Sequence, residues 1–453
     1  MSSISSSTLS PPRPRSTQSE RPRRPFSGSL MPTGVLTPAG NDTVVLNVTD
    51  ADLYLHFLNH TCKAAPRWQK ERLVLQVGIA KLALESDLVS HSVLALSAAC
   101  LCRDTISNGS ADPERVRQIL DLGLQHHTLA LEQMRTMTSH PKESDTQPLL
   151  ASALMLVPFA LAFQHIQHRV LLAKGLLQDT NLLTPRDTIL LLRGIRTTIV
   201  ALNSTRAESR SPKSQTPWDT MFSSQVVDYP DFTTIPERSH TMFPFLAATF
   251  HQALSHLRFR IERALATSQE DENTASTFDA YEILNGVMTS TFSDSQSIEI
   301  SSECVTYPKF SVAPDSLLAQ APGWLRNFIL RRPRPTHTEP LARSFLAFFS
   351  GAPQTYVDLL LPLLDPRTPE NASADDDREL TTAEVLALDV YAHWLVLMLL
   401  MENEEWWVGD FPFVALQGLI ARYGSGFLGT SLVQHQWWPA GMLEVATRLK
   451  QWK

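Results

Sequence analysis

The sequence predicts an all-α fold, and three observations carry that prediction. From Asp50 onward apolar residues return at helical intervals, with no run of alternation long enough to found a sheet. Polar, proline-marked stretches such as "SRSPKSQTP", "TSQEDENTAS", "RRPRPTHTEP" and "DPRTPENASADDD" separate these segments. Ala383 to Met401 is apolar on almost every face, which is the composition of a helix enclosed by others.

Residues 1–49 stand apart from this pattern. They hold Arg13, Arg15, Arg21, Arg23 and Arg24 against only Glu20 and Asp42, in a chain whose formal charge is -7. The string "PPRPRSTQSERPRRP" has few apolar side chains to offset the entropy of ordering, so it is expected to be a disordered tail. Its arginines suit a nuclear import signal as well as a plain solvated tail. Residues 50–453 are then expected to be one helical domain. Apolar content of 43% supports a sizeable core there, and the acidic balance argues against a surface built throughout to hold nucleic acid.

Taken in order, "DADLYLHFLNHTC" sets Leu53, Phe57 and Leu58 on one helical stripe. "SDLVSHSVLALSAACLC" follows, with Leu88, Leu94 and Leu96 among small Ser and Ala residues that allow close helix approach. After "NGSADPE", apolar positions at Val116, Ile119, Leu120, Leu124, Leu129 and Leu131 predict the antiparallel partner of that helix. "LLASALMLVPFALAFQHI" is a second strongly apolar segment, in which Pro158 is expected to kink or divide a helix. "LLTPRDTILLLRGIRTTIVAL" begins with Thr184 as N-cap, Pro185 in the first turn and Asp187 near the positive end.

The segment "VLALDVYAHWLVLMLLMENEEWWVGDFP" is introduced by acids and by a Thr381 to Glu384 capping-box spacing. A membrane span needs about twenty uninterrupted apolar residues. Here Asp389 and His393 interrupt the run, and Glu402, Glu404 and Glu405 close it without a basic flank, so a soluble core helix and no membrane span are expected. No apolar stretch of signal-peptide type follows the first residues. The Asn-x-Ser/Thr triplets at Asn41, Asn47, Asn59, Asn108, Asn203 and Asn371 are accordingly expected to be idle. Four cysteines, Cys62, Cys100, Cys102 and Cys304, are too scattered for a disulfide framework and fit a reducing compartment.

Motifs of catalysis fail on context. "GSGFLG", Gly424 to Gly429, has the G-x-G-x-x-G spacing but follows a helical pattern, not the strand that dinucleotide binding needs, so it reads as a helix end. His56 and His60 have the i, i+4 spacing of paired metal ligands without the Glu of a metalloprotease helix, and they are expected to face solvent. Cys100 and Cys102 point to different sides of a helix and read as buried thiols. The acids Glu402 to Glu405 suit a solvated helix end as easily as a carboxylate pair. No G-x-S-x-G elbow, P-loop or H-E-x-x-H occurs, and the expectation is of a protein that is not an enzyme and needs no cofactor.

Trp394, Trp406 and Trp407 are the candidate ligand-pocket or partner-face residues, because large aromatics dominate pockets and interfaces as well as cores. Trp437 and Trp438 in "QWWPAGM" repeat the arrangement.

The apolar helix followed by acids and "WWVGDF", with "HSVLALSAACLC", "LDLGLQHHTLALEQMR" and "TPWDTMF" upstream, resembles the regulatory region of fungal-specific transcription factors of the binuclear zinc cluster class. The likeness runs from about Leu46 to Ala421. It implies an α-helical domain that represses, dimerises or senses a ligand in a nuclear regulator, and in sterol-responsive relatives such a domain binds a sterol. The family's zinc cluster uses six closely spaced cysteines near the N-terminus, whereas no cysteine precedes Cys62 in this sequence. The resemblance therefore implies a fungal transcription regulator, nuclear with a cytoplasmic pool, that lacks its own DNA reader. It would act through a protein partner, a homodimer or a small apolar ligand, and touch DNA only indirectly or through a zinc cluster missing from this sequence, with secondary-metabolite or nutrient-use genes as its targets. An apolar-ligand binding protein or an enzyme with an unfamiliar helical site is the alternative.

Overall fold

The computed structural model describes residues 48–64, 72–107, 112–174, 185–206, 239–267, 271–292, 312–323, 325–326, 341–364, 380–402, 405–424 and 437–451. The arginine-rich segment up to Asn47, Thr184, the Thr216 to Phe222 string, Cys304, Glu404 and residues 425–429 lie outside them. The described residues are helical, as the sequence predicts. No strand forms among them; Arg206 and Ser316 make an isolated antiparallel bridge.

The helix α1 (Asp50–His56) opens with a capping box in which Thr49 and Asp52 satisfy each other's backbone N–H groups. It runs on through a π turn, Phe57–Thr61, into Cys62–Ala64. A second π turn, Val74–Ile79, leads into α2 (Ala80–Glu85). Neither π turn is visible in the apolar spacing, since each inserts a residue into an otherwise ordinary helical pattern.

The helices α3 (Asp87–Ser107) and α4 (Pro113–Ser139) form the predicted antiparallel pair. Their direction follows from three contacts. Cys102 Sγ donates to the Val116 carbonyl at 3.4 Å, Gly123 faces Ala98 and Ala95, and the Nδ1 atoms of His91 and His126 lie 3.0 Å apart. As α3 runs backward α4 runs forward. A Cβ on Gly123 would sit 3.0 Å from the Ala98 methyl and 3.2 Å from the Phe159 ring, so the small residues do permit the close crossing.

The helix α5 (Thr146–Lys174) contains Pro158 and is continuous through it. Proline removes the bond to the Leu154 carbonyl, and burial of the surrounding apolar residues holds the helix together across that gap. Gln164 Nε2 donates to Thr188 Oγ1, at 3.1 Å, and so joins α5 to α6 (Pro185–Ser204), which starts at Pro185 as expected. The helices α7 (Phe243–Thr267) and α8 (Glu272–Phe292) follow, then the short α9 (Leu317–Gln320). Next come α10 (Leu341–Gly351) and α11 (Gln354–Leu364). Arg193 and Arg196 on α6 reach the end of α10 and donate to the carbonyls of Phe349, Ser350 and Ala352. Two guanidinium groups thereby cap the negative end of that helix.

The helix α12 (Thr382–Met398) is the axis of the fold. Thr381 and Glu384 close the predicted capping box, and a 3-10 turn, Leu399–Met401, extends the rod. Both α5 and α12 are long and apolar enough to cross a membrane, but the most apolar window of α12 is 94% buried within the fold and that of α5 83%. Each is enclosed by protein, which is the second solution open to an all-round apolar helix. The chain ends with α13 (Phe411–Tyr423) and α14 (Trp438–Gln451). Gly424 terminates α13 at φ +79°, its N–H bonded to the Ile420 carbonyl, as the helix-end reading of the glycine string requires. Residues Leu46–Lys453 make one compact unit.

Candidate functional site

Charged and aromatic side chains gather at two places along α12. The first is within the rod. Asp389 is wholly buried, and its carboxylate accepts from the guanidinium of Arg260 on α7, from Trp437 Nε1 at 2.8 Å and from His393 Nδ1 at 3.1 Å. Burial alone would raise this carboxyl, but Arg260, His393 and the Trp437 N–H outweigh it and hold Asp389 below its ordinary value. His393 sits one helical turn on, its Nδ1 also 2.8 Å from the Asp389 backbone carbonyl and its ring stacked on Trp438. That geometry puts the Nδ1 proton toward Asp389. Nε2 is buried with no hydrogen-bond partner among the described residues.

Trp394 adjoins this cluster but faces the other way. Its indole N–H donates to the Phe345 carbonyl at 2.8 Å, and its ring packs against Phe348, Phe349 and Tyr391. Every face of the side chain meets protein.

The second place is the turn after the rod. Gly409 has φ +47°, and a Cβ there would lie 2.6 Å from Nδ1 of His165 on α5. Only glycine lets the backbone approach that ring. The next N–H, of Asp410, donates to His165 Nδ1 at 3.2 Å, which requires Nδ1 to be unprotonated. The Asp410 carboxylate is 3.6 Å from the same nitrogen, yet burial pushes His165 down more than Asp410 lifts it, so the neutral imidazole is the form this geometry holds. Lys450 on α14 pairs with Asp410 at 2.8 Å and with Glu402 at 2.6 Å. The two acids titrate as a pair: burial and the neighbouring Asp410 push Glu402 up, while Asp410, which burial would raise, is held down by Lys450 and Glu402. Glu402 is ion-paired and Glu405 is buried, so the end of the rod is not a solvated run of acids.

Trp407 is nearly buried in this turn, and Trp406 is half-buried with the Arg103 guanidinium of α3 lying 5.0 Å over its ring. More than two turns of helix separate these two residues from Trp394. No ring contact joins them to it among the described residues, so the three predicted aromatics occupy two environments. The sequence reading missed Arg260, Trp437 and His165 as partners, although Asp389 and His393 stood out as interruptions of an apolar run.

The remaining candidates separate as follows. Burial pushes the thiols of Cys62 and Cys100 up to about 12 and about 11, and raises Cys102 as well, so all three stay protonated and behave as small apolar groups. His60 is exposed as expected, but His56 is not solvent-facing: it is mostly buried and its Nε2 lies 3.3 Å from Asp104 of α3. His56, His60 and Asp104 are a group able to hold a metal ion.

Comparisons with known proteins return no matching family model, no matching curated protein and no matching solved structure.

Proposed function

We propose that this chain is the helical regulatory part of a fungal transcription regulator, one that acts through a protein partner. The reading rests on the resemblance of the sequence, and one observation supports it above the rest. The Trp-Trp-Val-Gly-Asp string that anchors the resemblance is the turn at which α3, α5 and α14 are tied to the end of the central helix. Gly409 and Asp410 are thus required by packing, and a string required by packing is what a shared fold would keep.

The charged groups along α12 are also engaged in holding helices together. Asp389 uses both oxygens on Arg260, Trp437 and His393. That saturation suits a rigid scaffold better than a site of proton transfer.

The test is to tether the full chain to a heterologous DNA-binding domain beside a reporter gene in a fungal host. Reporter transcription is expected to change several-fold, up or down, relative to the tether alone. An unchanged reporter, with the fusion folded and present in nuclei, overturns the proposal.

A further inference from the structure

The junction between α1 and α3 carries a second arrangement, independent of the regulatory reading. The π turn at Phe57–Thr61 widens the helix between His56 and His60, and the two imidazoles stack with centroids 4.8 Å apart at 17°. Such single π turns concentrate at functional positions. Asp104 approaches from α3, and one ligand atom from each of the three residues lies within 4.8 Å of the others.

We propose that His56, His60 and Asp104 bind a divalent transition-metal ion of the zinc type at this junction. The argument starts with the direction of protons. Ser97 Oγ donates to the Leu53 carbonyl at 2.6 Å, so its one proton is committed. The contact between Ser97 Oγ and His56 Nδ1, at 3.3 Å, must then be a bond donated by the imidazole, and Thr61 Oγ1 stands at the same distance from the same nitrogen. With the proton of a neutral ring on Nδ1, the lone pair of His56 Nε2 points at Asp104 Oδ2, 3.3 Å away. Two acceptors facing each other call for a cation between them.

The surroundings are those of a metal ligand set. Arg103 takes the other carboxylate oxygen of Asp104, with Nη2 at 2.5 Å and Nε at 3.0 Å, and leaves Oδ2 as a single donor atom. Ser97 and Thr61 fix the tautomer and tilt of His56, the part that outer partners play for ligating histidines. Tetrahedral zinc with bonds of about 2.0–2.1 Å separates neighbouring ligand atoms by about 3.4 Å, close to the His56 to Asp104 spacing already present. His60 is exposed, so its ring is free to swing in and close the longer separations. Two imidazoles and one carboxylate favour zinc and its neighbours over magnesium or calcium, and three protein ligands leave a fourth position to water.

The full chain, stripped with a chelator, is titrated with zinc by calorimetry and with cobalt by its visible ligand-field absorbance. The expected result is uptake of one ion per chain, with the absorbance of a four-coordinate cobalt site. Substituting His60→Ala is expected to weaken binding at least about tenfold without changing the circular dichroism, because the side chain is exposed. Asp104→Asn is expected to do the same, whereas His140→Ala, at an exposed position on no ligand set, is expected to leave affinity unchanged. No uptake by the unaltered chain overturns the proposal. Equal uptake by the unaltered chain and by His60→Ala also overturns it, by assigning the ion to other histidines.

Discussion

An aspartate, a histidine, a cation and a tryptophan meet twice along the central helix, once midway at Asp389 and once in the turn beyond its C-terminal end at Asp410, and the two sets behave differently. Asp389 has no exposed surface, and it is held by the buried His393 and Trp437 and by Arg260, whose side chain is 25% exposed. Asp410 is 39% exposed and shares the 33% exposed Lys450 with Glu402, while its histidine, His165, accepts a backbone N–H instead of forming an ion pair. Similar residue types thus make a buried ionic hub in one place and a half-wet latch in the other. Attraction between charges is strong where the dielectric is low, but so is the penalty for losing a partner. The hub is therefore a position that tolerates no single deletion, whereas the latch depends more on backbone shape than on charge.

Asp389→Ala should show the largest effect. It leaves the buried Trp437 N–H without its acceptor and the quarter-exposed Arg260 without its carboxylate, and removal of one member of a buried ion pair costs roughly 3–5 kcal/mol. Urea unfolding at neutral pH checks this, and a loss under about 1 kcal/mol would mean that water reaches the hub. The latch is expected to break next most readily through Gly409→Ala. A side chain at φ +47° costs about 1–3 kcal/mol, and overlap with the His165 ring adds a cost of the same order, for roughly 4 kcal/mol together. If the variant is as stable as the parent, the close approach of the turn to α5 is wrong.

How much of this could be read from the chain follows from where the partners lie. The helix α12 was legible because its start is local: Thr381, Glu384 and a nearly continuous apolar run sit side by side. The small residues of α3 announced its close crossing with α4 for the same reason. The hub was half legible. An aspartate and a histidine one turn apart within an apolar rod must have partners, but Arg260 lies 129 residues away and sits on a helix whose other charges are ordinary surface residues. In the latch the tryptophans drew attention and the glycine did not, since a positive φ leaves no trace in composition. His56 was taken for a solvent-facing residue because its tertiary neighbours, Ser97 and Asp104, belong to a different helix, and because the π turn beside it breaks the periodicity used to assign faces.

Acid separates hub and latch further. Burial lowers His165 at the latch, and it pulls the buried His127 of α4 down to about 4 from an ordinary value near 6.5. For such groups the unfolded chain binds the proton first, so stability is complete above about pH 6.5 and falls as the pH drops toward the folded value. A shift of this size corresponds to about 3 kcal/mol for His127. Asp389 is held below 3.8, so the hub keeps its contribution until the pH falls through that lower range. Urea midpoints between pH 7 and pH 5 should therefore decline, and His127→Gln or His165→Gln should each flatten part of that decline. A decline identical in both variants would place the proton-sensitive groups elsewhere.

The smallest effect is expected from the exposed charge of the latch. Lys450→Met removes the cation shared by Asp410 and Glu402, together with the ammonium that lies 3.9 Å over the Phe413 ring, but leaves the glycine turn and the His165 bond in place. Half-exposed pairs contribute under about 1 kcal/mol, and methionine keeps most of the packing. The size of the salt dependence is the sharper measurement. The stabilising part of the Lys450 pairs is screened as ionic strength rises, since both partners reach solvent, while in the Arg260 to Asp389 pair only the arginine, 25% exposed, reaches solvent and the carboxylate has no exposed surface, so screening there is weaker. The difference in stability between Lys450→Met and the parent should thus shrink in high salt, and the deficit of Asp389→Ala should shrink by a smaller fraction. Parallel salt responses of the two variants would mean that hub and latch share one dielectric environment, and the distinction between them would collapse.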